Sequence, residues 1–454
     1  MKKINLFKDE KEILEILQKY GEGYIVGGYV RDSLLGIEPS DCDFVTNLDY
    51  SKLLEIFKDF SPKEIGKHFG IIQIIYNGKA YEIAKYRKDI GVPEDRKEQE
   101  IEFTNSIMKD LKRRDFTINA IAYDGKNFRY VEGAEEDLKN KTLRFVGDPI
   151  VRIKEDPLRI MRFIRFLATK NLESAFEIEK LKDYLYLLDK ISMERIRDEF
   201  NKIILSKDIE NALSILEKSG VLEYIIPEWR ATIAFDQKNP HHYLTVDKHI
   251  KKVVSLCDED LELRIAALLH DIGKPQTFTL DSEGKGHFYN HEIESAKIAE
   301  RILKRMKYST KISDNIRNLV LYHLNTFKNS GRKYVKKLIN EMGKDEVLKL
   351  FKLMEFDRIA HNPPHDFRSL NELKRLYNEI IEKEEAVSIK DLKISGKDII
   401  ELGVSQGKEI GLVLKLIFER VLEDSSLNER KILIKLAKEI IDKKDKKKSW
   451  LKKF

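Results

Sequence analysis

The spacing of apolar residues divides the chain into a mixed first third and a helical remainder. Runs rich in β-branched and aromatic residues predict strands at 24–26, 43–45, 71–76, 81–85 and 143–146, with glycines between them. Between Gly147 and Gly220 there is no glycine, and the apolar positions follow a period of 3.6. We therefore expect an α+β N-terminal domain, built on a mixed sheet with helices, followed by all-α domains.

Histidines mark a further division of the helical part. Nine of the ten histidines lie between His241 and His365, and the chain after them is helical, charged and histidine-free. This clustering is typical of a separate domain with metal chemistry. The predicted segments are an N-terminal domain at 1–147, a helical segment at 148–238, a metal-binding domain at 239–365 and a helical body with a basic tail at 366–454.

Composition narrows the class of protein. The 454 residues are too many for one core, and 42% hydrophobic with 36% charged residues indicates a globular protein rich in charge. No apolar run approaches the ~18–20 residues of a membrane helix, and the N-terminus lacks a signal-peptide core. Only Cys42 and Cys257 are present, so no disulfide framework is expected. These features predict a cytoplasmic protein that does not bind membranes.

The formal net charge of +6 is concentrated at one end of the chain. The segment from Asp442 to Phe454 holds seven lysines and two aspartates, which leaves about +1 for the rest. A nucleic-acid function would therefore depend on local basic faces. The tail itself is more typical of a solvated terminus than of an RNA clamp.

An acidic pair supplies the first candidate chemistry. Asp41 and Asp43 are at i and i+2, so on a strand they point to the same side and can hold one or two Mg²⁺ ions. The preceding Gly27-Gly28 turn ends one strand and opens a helix, where backbone N–H groups can approach a triphosphate. Glu82 is the candidate for a third carboxylate from a neighbouring strand. Without this context, the pair would be an ordinary turn or solvated surface.

Several motifs in order resemble one family. Gly27-Gly28 with Arg31-Asp32, the Asp41-Cys42-Asp43 pair, and the segments 113–120 (RRDFTINA) and 155–159 (EDPLR) resemble the class II CCA-adding tRNA nucleotidyltransferases and bacterial poly(A) polymerases. The resemblance implies a polymerase-β-like head. It also implies contacts to the nucleotide, for which the candidates are Gly28, Arg31, Arg114, Asp115, Asn119, Asp156, Arg159, Arg162 and Arg165.

Residue chemistry assigns roles to these candidates. The guanidinium of Arg114 suits phosphate, and Asp115 and Asn119 suit ribose hydroxyls, although Asp115 is also a good helix N-cap. Arginines 152, 159, 162 and 165 predict a basic face for triphosphate or the tRNA acceptor end.

The family places its nucleobase-selecting element at 155–159, which we expect to begin a helix. A carboxylate accepts hydrogen bonds and a guanidinium donates them, so Asp156 and Arg159 would match cytosine and adenine and mismatch uracil and guanine. The alternative is an i,i+3 surface ion pair.

Three further stretches bear on the resemblance. The polar segment 86–103 resembles the family's flexible loop, which is associated with switching from C to A addition. Tyr130 stands where the family has an aspartate, so either Glu132 replaces it or the hinge after the head is held differently. The segment 192–200 resembles the neck helix, in which Arg195 and Arg197 are expected mainly as surface ion-pair partners.

The histidine-rich domain resembles an HD-type phosphohydrolase, which implies His249, His270, Asp271 and Asp357 as metal ligands. Imidazole with carboxylate suits Mn²⁺, Ni²⁺, Co²⁺ or Fe²⁺. His291 and His323 are candidates for a second metal or for phosphate, and Lys274 either contacts phosphate or is solvated. The resemblance implies a phosphomonoester or a 2′,3′-cyclic phosphate as the substrate.

The leading hypothesis is template-independent addition of CCA to the tRNA 3′ end from CTP and ATP by two-metal nucleotidyl transfer. An enzyme that adds only A, or a poly(A) polymerase, is the alternative within the family. An HD phosphohydrolase with a degenerate head is the alternative from another class.

Overall fold

A computed structural model describes residues 1, 3–39, 41–90, 100–240, 242–324, 331–405 and 407–451. The chain divides into two units, residues 1–227 and 228–454. In these described ranges no helix combines the length and apolar character needed to cross a membrane. The part of the predicted flexible loop at 91–99 and the side chains of the basic tail from 443 onward lie outside the described residues.

The first unit is built around a sheet in its first 130 residues. Its strands are β1 (Gly23–Val26), β2 (Asp43–Thr46), β3 (Lys63–Gly66), β4 (Ile71–Tyr76), β5 (Lys79–Lys85), β6 (Arg87–Ile90), β7 (Glu100–Phe103), β8 (Ile121–Tyr123) and β9 (Phe128–Tyr130). Seven of them form one sheet in the order β3-β4-β5-β2-β1-β8-β9, and β6 pairs with β7 in a separate hairpin. β2 and β5 run parallel and the other neighbours run antiparallel.

Five short helices flank this sheet: α1 (Lys8–Tyr20), α2 (Gly28–Leu35), α3 (Tyr50–Ile56), α4 (Ile107–Lys112) and α5 (Ala134–Lys139). All four residues of β1 are buried, as expected for a strand at the centre of a sheet. The predicted strands at 24–26, 43–45, 71–76 and 81–85 are thus confirmed, and the mixed sheet agrees with the expected α+β class. The strand predicted at 143–146 is reduced to Thr142–Leu143.

The helical segment that follows packs onto the head. It contains β10 (Thr142–Leu143), α6 (Pro149–Glu155), α7 (Arg159–Lys170), β11 (Glu173–Ser174), a 3₁₀ helix (Ile178–Lys190), α8 (Met193–Ile204), α9 (Ile209–Lys218) and α10 (Val221–Ile225). The ring of Phe116 in the head lies 5.8 Å from Phe163 and 5.4 Å from Phe166 of α7. This shared aromatic core explains why residues 1–227 form one unit across the change of sequence texture at 147.

The second unit is almost entirely helical. Its elements are α11 (Val246–Leu256), α12 (Leu261–Leu269), α13 (Lys274–Thr277), β12 (Phe278–Leu280), β13 (Gly286–Phe288), α14 (His291–Arg305), α15 (Thr310–Tyr322), α16 (Arg332–Met342), α17 (Lys344–Ile359), α18 (Arg368–Glu382), α19 (Gly396–Glu401), α20 (Lys408–Glu423) and α21 (Arg430–Leu451). The fully buried Lys336 of α16 lies 2.9 Å from Glu385 and donates to the Ser425 hydroxyl. Packing is therefore continuous across residue 366, where the sequence predicted a boundary.

Candidate active site and metal centre

The glycine turn lies beside Arg114, whose positively charged side chain suits a phosphate group. Gly27 has a φ of 71° and precedes α2, and a Cβ built on it would lie 3.3 Å from Nη1 of Arg114. The two glycines therefore keep the backbone open next to this guanidinium, as the anion-binding interpretation of the turn requires. Together with Asp43, these residues line a cavity of about 370 Å³.

Two of the three predicted carboxylates lie in register on neighbouring strands, and the third, Asp41, precedes β2. Among the described residues, the three do not form a group whose ligand atoms all lie within 4.8 Å of one another. Asp43 is paired in register with Glu82 on the parallel strand β5. Asp41 and Asp43 are exposed while Cys42 between them is buried, so the two aspartates share a face as their i, i+2 spacing predicts. Although Asp43 keeps an exposed fraction, the protein around its carboxyl group partly removes it from water and so raises its pKa. Arg114 opposes this shift and Asp41 reinforces it. Partial burial and the charges of Asp43 and Asp41 also raise the pKa of Glu82.

Asp110 is an acidic residue that the sequence analysis did not single out. It is fully buried on α4 and lies 2.8 Å from Nη2 of Arg113 and 3.2 Å from Nη2 of Arg114. Burial opposes ionisation, but the two guanidinium groups outweigh it and lower the pKa of Asp110. The i, i+3 and i, i+4 spacing was the available signal. Asp110 thus holds Arg114 in place at the cavity.

A buried network connects the predicted ribose-binding residues. Asp115 accepts hydrogen bonds from the Phe116 backbone N–H and Asn119 at Oδ1, and from Arg162 at Oδ2 (2.9 and 2.6 Å). Burial raises the pKa of Asp115, but Arg162 and Asn119 prevail and lower it to about 2. Asn119 Oδ1 accepts from Arg31 at 2.7 Å. In this structure both side chains are therefore bonded within the protein while also lining the cavity.

A second cavity of about 540 Å³ adjoins these residues. Arg114, Asp115, Asp156, Arg159 and Arg162 all line it. Arg165 does not line it. Arg165 lies 3.0 Å from Glu199 and borders the cavity next to the glycine turn, so the predicted basic face is divided between two cavities.

The chain path at 155–159 differs from the expected helix start. α6 ends at Glu155, Asp156 is extended (φ −144°, ψ 97°), and α7 begins at Arg159. The cause is Pro157, because the residue before a proline is driven out of the helical region. Asp156 therefore does not pair with Arg159 as a helical i, i+3 neighbour. Its Oδ1 accepts from the Leu158 N–H and lies 4.0 Å from Arg195.

Arg159 is instead held by Glu155 and by backbone carbonyls. Its Nη1 donates to Glu155 Oε2 and to the Arg152 carbonyl, both at 2.8 Å, and its Nη2 donates to the Arg113 carbonyl at 3.0 Å. Its side chain is 9% exposed. The alternative of a surface ion pair with Asp156 is therefore wrong, and the guanidinium is fixed at the cavity wall.

The neck arginines have different environments. Arg197 forms an ion pair with Asp198 at 2.8 Å, as expected for a surface residue. Arg195 lines the larger cavity near Asp156, a position that the sequence analysis did not predict.

The hinge after the head has its own buried carboxylate. Tyr130 donates to Glu135 at 3.1 Å, and Glu132 is exposed. Asp137 is buried, accepts from the Thr117 hydroxyl at 2.7 Å and lies 3.1 Å from Arg144. The two alternatives were that Glu132 replaces the missing aspartate or that the hinge is held differently. The structure favours the second, with Asp137 as the carboxylate that anchors the hinge.

The four predicted ligands of the histidine-rich domain converge in the second unit. His249 on α11, His270 and Asp271 at the end of α12, and Asp357 on α17 each offer a ligand atom within 4.8 Å of the others. All four are buried. His249 Nε2 lies 3.0 Å from Asp357 and 3.3 Å from Asp271, and His270 Nε2 lies 3.3 Å from Asp271.

Charges around this centre favour ionised carboxylates. Burial opposes ionisation of Asp271, but His270 and Lys274 outweigh it and hold the pKa of Asp271 well below its usual value. Lys274 is buried, with Nζ 2.6 Å from Asp271 and 3.0 Å from the Gln237 side-chain oxygen. It is therefore neither solvated nor directed to the surface.

Known proteins are similar to this chain in sequence. Family models match the poly(A) polymerase head domain at residues 23–144, the "Probable RNA and SrmB- binding site of polymerase A" at 175–232 and the HD domain at 246–439. The CCA-adding enzyme of Lactococcus lactis subsp. lactis is 30% identical over 469 aligned positions, covering 96% of this chain and 98% of that enzyme. The CCA-adding enzyme of Ligilactobacillus salivarius is 29% identical, covering 96% and 98%.

Solved structures share the fold. The Bacillus stearothermophilus CCA-adding enzyme, in complex with CTP, has a TM-score of 0.70 at 23% identity, covering 97% of this chain and all of that chain. The Thermotoga maritima CCA-adding enzyme, complexed with tRNA, has a TM-score of 0.54 at 20% identity, covering 97% and 100%.

A polymerase-type head with these carboxylates defines a nucleotidyltransferase. The 30% identity to one such enzyme extends over 96% of the chain. It shows that the chain belongs to the family of CCA-adding enzymes, which are tRNA nucleotidyltransferases. The predicted family, fold class and enzyme class are confirmed. The relatives do not favour the A-only, poly(A) or degenerate-head alternatives.

Proposed function

We propose that this chain adds C, C and A to the 3′ end of tRNA from CTP and ATP, with Asp41, Asp43 and Glu82 holding Mg²⁺. The observation that carries the proposal is the register of Asp43 with Glu82, next to Asp41 on the same face. The glycine turn and Arg114 border the same cavity as Asp43, and a triphosphate would lie in this cavity.

The three carboxylates fit this ion. Mg²⁺ prefers carboxylate and phosphate oxygens. Desolvation and the neighbouring carboxylate charges raise the pKa values of Asp43 and Glu82, and a bound cation would offset both effects. Held by Asp41, Asp43 and Glu82, two such ions would supply activation of the attacking hydroxyl and stabilisation of the leaving oxygen.

Other residues orient the reacting groups. In the transfer, the tRNA 3′ oxygen bonds to the α-phosphorus, pyrophosphate leaves, and the hydroxyl proton is lost. Arg114, fixed by Asp110, is placed to bind the leaving phosphates through its planar fork. Arg31, Asp115, Asn119 and Arg162 form the wall beside them, through hydrogen bonds that leave little freedom to any one side chain.

Base selection is assigned to Asp156 and Arg159. Both line the larger cavity, and Arg159 is immobilised by three acceptors. An acceptor and a donor at fixed positions match the amino group and ring nitrogen of cytosine and adenine.

The acceptor end of tRNA is assigned to the basic lining of the same cavity, which includes Arg162 and Arg195. Because its proposed substrate is tRNA, we place the enzyme in the cytoplasm.

The test is an addition assay on tRNA transcripts lacking one, two or three terminal nucleotides. With CTP alone, the shortest transcript should gain two residues and stop, and ATP should then complete the end. Incorporation of AMP alone, or of long A tracts, would overturn the proposal. Asp41→Ala with Asp43→Ala should abolish addition, and Glu55→Ala, which changes an exposed carboxylate on α3, should not.

We also infer a second activity in the second unit: His249, His270, Asp271 and Asp357 bind a divalent transition metal for phosphoester hydrolysis. The convergence of four buried ligand atoms within 4.8 Å favours it. Imidazole and carboxylate ligands suit Mn²⁺, Ni²⁺ or Co²⁺. Replacing Asp41 and Asp43 should spare this phosphatase activity, and loss of both activities together would contradict two independent sites.

A further inference from the structure

Three guanidinium groups lie over the ring of Phe166. This residue is on α7, is 5% exposed, and lines the smaller cavity, of about 370 Å³, next to the glycine turn. The Cζ atoms of Arg165, Arg31 and Arg162 lie 4.5, 4.9 and 5.9 Å from the ring centroid. Each distance is within the ~6 Å over which the face of an aromatic ring attracts a cation. All three arginines line the same cavity.

These contacts converge on Phe166 from two helices. A single cation–π contact occurs about once per 70–80 residues and would carry no argument by itself. Here Arg31 comes from α2 of the head, whereas Arg162 and Arg165 come from α7, so helical spacing alone does not explain the convergence. The ring of Phe166 is held in turn by the ring of Phe116, 5.4 Å away at an interplanar angle of 79°. Phe166 therefore joins the head to α7 at the place where the cations meet.

The three positive charges repel one another at this place. Burial lowers the pKa of Arg165, Glu199 opposes this shift, and the charges of Arg162 and Arg31 lower the pKa further. Each arginine also has one carboxylate partner: Asp32 for Arg31, Asp115 for Arg162 and Glu199 for Arg165. Even so, five basic and three acidic side chains line the smaller cavity, so its lining has an excess of positive charge.

An aromatic ring differs from a carboxylate in what it leaves available to a ligand. A carboxylate accepts N–H groups and cancels a positive charge, whereas a ring attracts a cation through its quadrupole and has no net charge. A guanidinium carries five N–H donors, and a phenylalanine ring has no oxygen to accept them. Phe166 can therefore hold the arginines together without reducing the charge that an anion would meet in the cavity.

We propose that Phe166 is a positioning residue for the triphosphate of CTP and ATP, because its ring holds Arg31, Arg162 and Arg165 at the cavity before the nucleotide binds. The inference rests on the proposed nucleotide addition and explains how its phosphate site is organised in advance. Cations that are already in place lose little freedom on binding, so they bind phosphates more tightly. Phe166 acts through the arginines and needs no contact with the nucleotide.

The expected effect is on binding more than on the chemical step. Contacts to the phosphates are made in the ground state as well as in the transition state, so weakening them raises KM and leaves kcat almost unchanged. Weakening the attraction of the ring for the three cations should raise KM for CTP about 5- to 30-fold, which corresponds to about 1–2 kcal/mol. We expect kcat to change by less than about twofold.

The test weakens the quadrupole of the ring while keeping its shape. Phe166→Leu is unsuitable on its own, because it also removes the packing on Phe116. Phenylalanines carrying one, two or three fluorine atoms are therefore introduced in place of Phe166, since fluorine withdraws electron density from the ring face. KM for CTP should rise with each added fluorine. The affinity for pyrophosphate, measured by calorimetry with Mg²⁺ and without tRNA, should fall in parallel.

The same fluorinated series in place of Phe163 is the matched control. Phe163 is also on α7 and fully buried, but its ring packs on the rings of Phe145, Phe176 and Phe116. Fluorination there should leave both KM for CTP and the affinity for pyrophosphate unchanged.

The outcomes separate this inference from the proposed function on which it rests. A KM that stays constant in both series, or rises equally in both, would overturn the role of Phe166 and leave nucleotide addition intact. A chain that adds no nucleotide to any tRNA transcript would overturn the proposed function. The pyrophosphate affinities would then still decide whether the ring of Phe166 positions the arginines for phosphate.

Discussion

Replacing Arg159 by alanine should change which base is added more than it changes how fast the correct one is added. In the structure Arg159 is 9% exposed and is fixed by Glu155 and two backbone carbonyls at the wall of the larger cavity. A donor fixed in this way meets the ring nitrogen of cytosine, which accepts. It meets the N–H of uracil, which donates, and leaves both groups unpaired.

The size of the effect follows from this mismatch. An unsatisfied buried polar group costs about 1–3 kcal/mol, which corresponds to a factor of about 5 to 150 in discrimination. Arg159→Ala removes one of the two mismatched groups against uracil and leaves the one at Asp156. The ratio of kcat/KM for CTP over UTP should therefore fall by about 5- to 150-fold. Glu155→Gln keeps an acceptor but loses the charge-assisted bond, so its effect should lie near the lower end.

The assay measures single-nucleotide addition of C and U to a transcript lacking three terminal residues. Arg165→Ala is the matched control, because Arg165 is on the same helix and is bound by Glu199, yet borders the other cavity. It should slow both nucleotides in similar proportion. If Arg159→Ala also slowed CTP and UTP equally, Arg159 would not read the base, and its role would be to support the cavity wall.

Three other predictions concern single carboxylates. Asp43→Asn should lower nucleotide addition by about a thousandfold or more. The melting temperature should stay level or rise, because the folded protein raises the pKa of Asp43 and so disfavours its charge. The pKa of Asp115 is lowered from 3.8 to about 2. Its ionised form therefore contributes about 2–3 kcal/mol to the free energy of unfolding above pH 4, and this contribution is lost as the pH falls towards 2. In Asp115→Asn, the free energy of unfolding measured with urea should depend less on pH in that range. An unchanged pH dependence would contradict this. Asp137→Ala should lower unfolding stability by about 1–3 kcal/mol, while the exposed Glu132→Ala should not.

The relative placement of Asp41 and Asp43 was predictable because it depends on local geometry. β2 begins only at Asp43, but the exposed Asp41 and Asp43 with the buried Cys42 between them follow the alternation expected of a strand. Glu82 required a neighbouring strand of the right direction, which the resemblance to a known head supplied. Its register opposite Asp43 is a property of the sheet, and no local pattern specifies it.

The partners of the arginines were less predictable. The choice of Glu155 over Asp156 as the partner of Arg159 depends on Pro157, which forces Asp156 out of the helix. That signal was present in the sequence, but the acidic residues and proline were interpreted as a single first turn. Asp137 at the hinge had no such signal, because its contact with Thr117 joins residues 20 positions apart.

The distribution of charge connects these details to the substrate. Apart from its lysine tail, the chain is close to neutral, so a polyanion cannot be attracted by the molecule as a whole. Yet the larger cavity is lined by ten basic and three acidic side chains. Of the acidic ones, Glu155 and Asp115 each bind an arginine of the same wall, so they position the cations as well as balance them. Asp156 is the third acidic residue of the larger cavity. It places a hydrogen-bond acceptor among side chains that donate, and discrimination between bases requires both kinds of group.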